Sequence, residues 1–252
     1  MRKKSFGHRA ILLCQLPERV IQAAIGIVAL PEFSRQVREG RALKGAYLSA
    51  LSHISVAHWP AMIILALLAR PIVLVLFGRQ WLELASLIPI ISPALILALP
   101  MGIQYPVLAA TDGIRLLPRL VLAQTLVLAA ALWITARYGL HAAAFGALWA
   151  MPINAVMSIQ AVRSRIVLSW TELFVVFSRS AAVSACAASG PLIFVLASPS
   201  DMPLLIAAAA ALVGCAGWVA GLFATAHPLW SELSPAVIAI SPRLHARRSI
   251  GR

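Results

Sequence analysis

The stretch PLLIAAAAALVGCAGWVAGLFAT, from Pro203 to Thr225, is the clearest indication of the fold because it contains no charged residue. A helix that crosses the hydrocarbon core of a bilayer needs about 20 mostly apolar residues. The same criterion finds about seven segments in the whole chain, at about residues 11–30, 46–69, 84–110, 117–136, 142–162, 180–197 and 203–225. The sequence therefore predicts an all-α fold, a polytopic transmembrane helix bundle.

The overall composition excludes an ordinary water-soluble domain. Hydrophobic residues make up 61% of the chain, charged residues only 12%, and the mean hydropathy is +0.90. A soluble domain carries about 25% charged residues. The net charge of +13 also raises the possibility of a nucleic-acid partner. The basic residues lie at helix ends and in short loops, so we predict the lipid bilayer as the partner and no nucleic acid.

The chain is predicted to form one transmembrane bundle over residues 1–252. Residues 1–10 are a basic N-terminus, residues 11–225 hold the spanning helices and short loops, and residues 226–252 form an interfacial and basic tail. Two apolar stretches are too short to span. Residues 71–78 indicate a continuation of the second helix or an interfacial segment, and residues 166–177 indicate an amphipathic helix at the interface.

Positive charge alternates between the gaps that separate the apolar segments. Lys and Arg residues favour the cytoplasmic side of a membrane. With the gap after the first helix placed inside, thirteen basic residues lie inside and three outside. This ratio predicts a multi-pass protein of the cell inner membrane with a cytoplasmic C-terminus. The three outside residues are Arg70, Arg79 and Arg137, and the inside ones are Arg35, Arg38, Arg41, Lys44, Arg115, Arg119, Arg163, Arg165, Arg179, Arg243, Arg247, Arg248 and Arg252.

The N-terminus does not fit this orientation. Arg2, Lys3, Lys4 and Arg9 would lie outside, although a basic N-terminus normally stays inside. We expect either that another spanning helix precedes Met1 or that the first apolar segment does not span.

Several segments resemble one family of membrane transporters. They are LPERVIQAAIGIVALPEFSRQVREG (residues 16–40), ARPIVLVLFGRQW (69–81), YPVLAATDGIRLLPRL (105–120) and YGLHAAAFGALWA (138–150). Pro31, Phe33, Ser34 and Arg35 resemble the turn that ends a helix in the polysaccharide transporter family. That family includes the O-antigen-type oligosaccharide flippases of the multidrug/oligosaccharidyl-lipid/polysaccharide exporter superfamily. Phe77, Gly78 and Trp81 resemble its Phe-Gly-x-x-Trp pattern.

The resemblance implies a fold and a function. Family members have two lobes, and this chain resembles the C-terminal lobe alone, without its first helix. They move a polyprenyl-diphosphate-linked oligosaccharide across the cytoplasmic membrane for polysaccharide biosynthesis, including that of lipopolysaccharide. The implied partners are this lipid-linked oligosaccharide and an N-terminal lobe or second subunit missing from the chain. The alternatives are a non-transporting or remnant membrane subunit and a lobe of a multidrug-type exporter.

Polar residues within apolar segments are the candidate site. Arg19 is the first candidate for contact with diphosphate or glycan, because an Arg at bilayer depth costs about 2.5–3.5 kcal/mol and usually faces a cavity or partner. Local pairing with Glu18, or contact with the outer interface, is the alternative, and Glu18 is a second candidate that would bind a coupling ion. Gln104, Tyr105, Gln124 and Asn154 either line a glycan cavity or hydrogen-bond between helices.

No catalytic or metal-binding pattern is found. The sequence contains no metalloprotease, nucleotide-binding or hydrolase motif, so we predict no enzyme activity and no cofactor. His53 and His58 lie five residues apart, which is not the spacing of a helical metal pair, and the three cysteines form no CxxC pair. Gly217 and Gly221 form a GxxxG pair that predicts close helix packing.

Overall fold

The computed structural model describes residues 29–197 and 204–225. Within them, helices are joined by short turns and no strand occurs, which confirms the prediction of an all-α polytopic bundle. In chain order the helices are α1 (29–38), α2 (Leu43–Leu67), α3 (Ala69–Phe77), α4 (Leu82–Ala85), α5 (Ile88–Ala110), α6 (Leu117–Thr135), α7 (Leu140–Arg163), α8 (Trp170–Ala197) and α9 (Leu204–Ala224).

Six of the described helices are long and apolar enough to cross a membrane, so the chain is a multi-pass membrane protein. They are α2, α5, α6 with its two flanking 3₁₀ turns, α7, α8 and α9. These six confirm six of the seven predicted spans. The other one, at residues 11–30, lies almost entirely outside the described residues. The helix α5 continues through Pro93, Pro100 and Pro106 without a break.

The prediction of a separate interfacial helix over residues 166–177 was wrong. Residues from Trp170 onward form the first turns of α8, which continues to Ala197. Arg179 does not interrupt this helix because its side chain is exposed. A helix of 28 residues is about 42 Å long, about 12 Å more than the hydrocarbon core is thick. The first turns of α8 can therefore lie at the membrane surface as part of the spanning helix.

Residues 71–78 do not simply continue α2. A turn at Leu68 separates α2 from α3, which ends at Gly78 with a φ of +84°. Such a left-handed backbone conformation favours glycine, since it carries no side chain to clash. On the inner side of α3, Ala69 and Val73 are buried against Leu84, Leu87 and Ile88 of the following segment.

Successive spanning helices alternate in direction around a shared core. Near the start of α2, Tyr47 and Leu51 are fully buried against Ile103 and Val107 near the end of α5, so these two helices are antiparallel. The starts of α2 and α8 lie together, because Lys44 forms an ion pair with Glu172. The α2 helix also packs against α8, α8 against α9, and α7 against both α5 and α6.

The predicted close packing at the glycine pair is confirmed. A Cβ atom added to Gly217 would lie 2.4 Å from the carbonyl oxygen of Cys186 on α8, and one added to Gly221 would lie 3.1 Å from the Cα atom of Val183. Glycine is needed here because the backbones of α8 and α9 approach each other directly, as in other membrane helix pairs.

The alternation of helices places most described basic residues on one end of the bundle. This end, which we call the basic face, holds Arg35, Arg38, Arg41, Lys44, Arg115, Arg119, Arg163 and Arg165 at helix ends and turns. Arg70, Arg79 and Arg137 lie at the opposite end. Arg179, predicted to lie in a gap between two spans, lies inside α8 instead, because that helix begins ten residues before the predicted span.

Candidate functional site

Three of the predicted site residues meet where α5, α6 and α7 pack together. Gln104 of α5, Gln124 of α6 and Asn154 of α7 expose only 6%, 4% and 1% of their surface. The side-chain amides of Gln104 and Gln124 donate to each other's oxygen, at 3.3 Å in both directions. Two glutamines on different helices thus satisfy each other in the apolar interior.

The contact between α6 and α7 uses the same glutamine. The Nε2 atom of Gln124 donates to the hydroxyl of Ser158 at 2.8 Å and to the carbonyl oxygen of Asn154 at 3.2 Å. In return, Nδ2 of Asn154 donates to the carbonyl oxygen of Gln124 at 3.2 Å. The hydroxyl of Ser158 donates to the carbonyl of Asn154 at 2.9 Å, which leaves its lone pairs available to accept from Gln124. We call Gln104, Gln124, Asn154 and Ser158 the amide network.

Gln124 is also the one buried residue of α6. The rest of this helix presents intermediate or exposed apolar side chains, such as Leu122 and Leu126. In a bilayer, apolar contact with a neighbouring helix is hardly better than contact with lipid, so packing and interhelical hydrogen bonds hold helices together. The amide network is therefore the main polar attachment of α6 to the bundle.

One acceptor of the network lacks a partner. The Oδ1 atom of Asn154 is buried and accepts no hydrogen bond from the described residues. A buried polar atom without a partner is costly, and such sites commonly receive a donor from water or another molecule. The Asn154 Oδ1 atom can therefore accept one hydrogen bond from an N–H or O–H group, close to the point where α5, α6 and α7 meet.

The structure separates Tyr105 from these residues. Consecutive residues of a helix point about 100° apart, so Tyr105 cannot share the direction of Gln104. Its side chain is 47% exposed on the outer surface of α5. Glu18 and Arg19, the other two predicted residues, lie outside the described residues. The prediction that these six residues contact substrate stays a prediction, while the geometry of the network matches the alternative of interhelical hydrogen bonding.

Ser158 was missed by the sequence analysis. A serine in an apolar helix is common, so its residue type alone does not indicate a site. The signal that could have found it is its spacing from Asn154, since residues four apart share one face of a helix. Two polar residues on the same face of α7 mark the side that meets Gln124.

A second set of polar contacts holds α2 to α8 and α9. The hydroxyls of Ser55 and Ser180 hydrogen-bond at 2.6 Å in a buried position. The indole nitrogen of Trp218 donates to the carbonyl of Val56 at 2.7 Å. His58, one turn farther along α2, is 98% buried, and its ring nitrogens have no hydrogen-bond partner among the described residues. No group of histidine, cysteine and acidic residues that could hold a metal occurs in the described part of the chain.

Charged groups on the basic face fix the ends of helices. Ser169 and Glu172 form a reciprocal cap at the start of α8, with the Ser169 amide donating to the Glu172 carboxylate at 2.9 Å and the Glu172 amide donating to the Ser169 hydroxyl at 3.2 Å. Such a capping box satisfies amides that a helix leaves free at its first turn. On α1, the Arg35 guanidinium donates to Glu32 at 2.8 Å and lowers the pKa of that carboxyl.

The comparison with known proteins connects the first third of the chain to one family. Residues 4–86 match a family model described as a polysaccharide biosynthesis protein. The matched region runs from the N-terminus through α1, α2, α3 and α4 and includes the turns around Phe33 and Phe77. No curated protein and no solved structure matches the chain. Over this region the chain is similar to that family, which relates it to polysaccharide biosynthesis.

Proposed function

We propose that the chain takes part in moving a lipid-linked oligosaccharide, a glycan on a polyprenyl diphosphate, across the cytoplasmic membrane for polysaccharide biosynthesis. The observation that carries this proposal is the family match over residues 4–86. A bundle with six candidate membrane spans and the alternation of positive charge support it. The substrate would cross the bilayer with no covalent bond made or broken, so the proposal requires neither an enzyme nucleophile nor a cofactor.

The proposed arrangement uses this bundle as one of two lobes. A large polar glycan cannot pass through the middle of a tightly packed six-helix bundle, whereas the surface between two bundles can form a polar path and rock open to either side. The second lobe would come from another chain, or from a longer form of this one. In this arrangement the amide network belongs to the inside of one lobe, where it keeps α5, α6 and α7 moving as a unit.

The candidate residues divide into two roles under this proposal. Arg19 would offset negative charge on the diphosphate, with Glu18 beside it as a candidate for a coupling ion. Tyr105, with 47% of its surface exposed, would contact the glycan from the surface of α5. Gln104, Gln124 and Asn154 would act indirectly, because their amides are occupied by contacts within the lobe.

The proposed orientation places the basic face and the C-terminus in the cytoplasm of the cell inner membrane. Basic residues at helix ends on one side are the usual determinant of orientation. In this orientation the lipid-linked glycan would arrive in the leaflet next to the basic face, where cations would attract its diphosphate.

A gene deletion in the native host tests the proposed function. We expect loss of the surface polysaccharide, together with accumulation of its completed lipid-linked precursor in the cytoplasmic leaflet. Expression of the wild-type chain should restore both, and a variant with Arg19→Gln should restore them poorly. A conservative Arg137→Gln variant at the opposite end of the bundle is the matched control. Unchanged surface polysaccharide in the deletion strain would refute the proposal.

A further inference from the structure

The guanidinium of Arg163 is held in a fixed position at the end of α7. Its Nε atom donates to the carbonyl oxygen of Leu168 at 2.9 Å, across the turn that joins α7 to α8. Its central carbon lies 4.9 Å from the centroid of the Trp170 ring, in a cation–π contact. These two contacts leave the two η nitrogens without a hydrogen-bond acceptor among the described residues. The side chain is therefore a preorganised cation with free donors.

The Trp170 ring under this cation also lines an apolar groove. The groove has a volume of about 540 Å³, and Ile159, Trp170, Thr171, Leu173, Phe174 and Phe177 line it. Residues 170, 173, 174 and 177 follow the spacing of one helix face, so the groove runs along α8. At its far end, the Phe177 ring stacks on Trp59 of α2, with ring centroids 5.5 Å apart.

The groove is open to the surroundings of the bundle. Phe174 is 72% exposed and Trp170 is 45% exposed, so in a bilayer these aromatic rings would contact lipid. The Trp170 ring contacts the Arg163 cation and also lines the groove. The cation therefore lies at the end of the groove where α8 begins. One end of the groove is thus cationic, while its walls are aromatic and aliphatic.

The depth of this site in the bilayer follows from the length of α8. This helix exceeds the thickness of the hydrocarbon core by about 12 Å, and its two charged residues, Glu172 and Arg179, both lie among its first ten residues. We therefore place its first turns at the level of the lipid headgroups. From Trp170 to Phe177 the helix rises about 10 Å. The groove therefore leads from headgroup level toward the acyl chains, and tryptophan is the residue that membrane interfaces favour.

We propose that this groove binds one anionic phospholipid of the leaflet next to the basic face. The phosphate would accept hydrogen bonds from the η nitrogens of Arg163, which match a phosphate in a two-pronged geometry. One acyl chain would lie along Trp170, Phe174 and Phe177. This lipid would bind to the lipid-facing surface of the bundle, and it is distinct from the substrate of the proposed transport.

Native mass spectrometry of the full chain tests this site directly. The purified protein is incubated in detergent with equal amounts of phosphatidylglycerol and phosphatidylcholine, and the lipids retained by each protein are counted. We expect one retained phosphatidylglycerol and a clear preference over phosphatidylcholine. The Arg163→Gln variant should lower this preference about fivefold, since one arginine near a membrane surface contributes about 1 kcal/mol to anionic lipid binding.

Matched variants separate lipid binding from a merely structural role. Arg137→Gln, in an exposed turn at the opposite end of the bundle, should leave the preference unchanged. Phe174→Ala should reduce retention of the lipid while Arg163 stays in place. If Arg163→Gln does not fold, Arg163→Lys replaces it and should show a partial loss, because lysine keeps the charge but not the planar pair of donors.

Three results would overturn the proposal. One is equal retention of the two phospholipids by the wild-type chain. Another is an unchanged preference in a folded Arg163→Gln or Arg163→Lys variant. The third is displacement of phosphatidylglycerol by an equal amount of polyprenyl phosphate, which would make the groove a substrate site. Because this assay needs no translocation, its outcome is independent of the test of the proposed function.

Discussion

The hydroxyls of Ser55 on α2 and Ser180 on α8 lie 2.6 Å apart in a buried contact between two parallel helices. We expect the two serines to stabilise the bundle as a pair. Hydrogen bonds between membrane helices contribute about 0.6 kcal/mol on average and up to about 1.7 kcal/mol. A double-mutant cycle with Ser55→Ala and Ser180→Ala, measured by unfolding in mixed detergent, should give a coupling energy in this range. Ser178→Ala is the control, since Ser178 bonds only within its own helix. A coupling energy of zero would contradict this role.

Replacing Gln124 should destabilise the bundle more than replacing any exposed residue of α6. The Gln124→Leu change removes donors and acceptors for Gln104, Asn154 and Ser158 at once, and each buried polar group left unpaired costs about 1–3 kcal/mol. We expect a loss of about 2 kcal/mol in the free energy of unfolding, with release of α6 detected by proteolysis. Thr125→Val is the matched control, because Thr125 is exposed and bonds to the carbonyl of Val121 in its own helix. Equal stability of the two variants would show that the network is not what holds α6.

A methyl group at Gly217 should disrupt the packing of α8 on α9. The added Cβ atom of Gly217→Ala would lie 2.4 Å from the Cys186 carbonyl oxygen, so one backbone must shift. Overpacking of this kind costs about 1–3 kcal/mol, and thermal unfolding in detergent should show it. In contrast, a Cβ atom at Gly45 meets nothing within 4 Å, so Gly45→Ala should be neutral or slightly stabilising. The expectation fails if both variants unfold at the wild-type temperature.

Cysteine labelling should show opposite sides of the membrane for two exposed turns. Val167, which is 89% exposed, lies in the turn between α7 and α8 on the basic face, and Tyr138, which is 76% exposed, lies at the opposite end. The three native cysteines are first replaced by alanine. A membrane-impermeant maleimide added to intact spheroplasts should then label Tyr138→Cys but not Val167→Cys, and cell lysis should expose both. Labelling of Val167→Cys but not Tyr138→Cys in intact spheroplasts would show that the orientation is the opposite of the proposed one.

The apolar segments could be predicted from the sequence because a spanning helix needs about 20 mostly apolar residues, which the sequence shows directly. The continuity of α8 could not be predicted in the same way. The charged Arg179 marks an apparent end of the apolar run, whereas the helix continues because an exposed arginine does not disturb its backbone hydrogen bonds. Charge indicates where a helix leaves the hydrocarbon core, but not where the helix itself ends.

The candidate site could be predicted only in part. A polar residue in an apolar helix is visible in the sequence, and Gln104, Gln124 and Asn154 were found in this way. Their mutual contacts depend on how α5, α6 and α7 are rotated and placed, which is a property of tertiary packing. For the same reason the sequence could not distinguish Gln104, which faces the network, from its neighbour Tyr105, which faces outward.

The most direct test of the proposed function measures translocation in reconstituted vesicles. A fluorescent polyprenyl-diphosphate oligosaccharide is placed in both leaflets, and a membrane-impermeant glycosidase reports how much glycan reaches the outer surface. The chain is tested alone and together with a candidate second lobe, and its helix content is verified after reconstitution. We predict that glycan initially protected inside the vesicles becomes accessible when both lobes are present. If the glycan in the inner leaflet stays protected in both preparations of folded protein, the proposed function is contradicted.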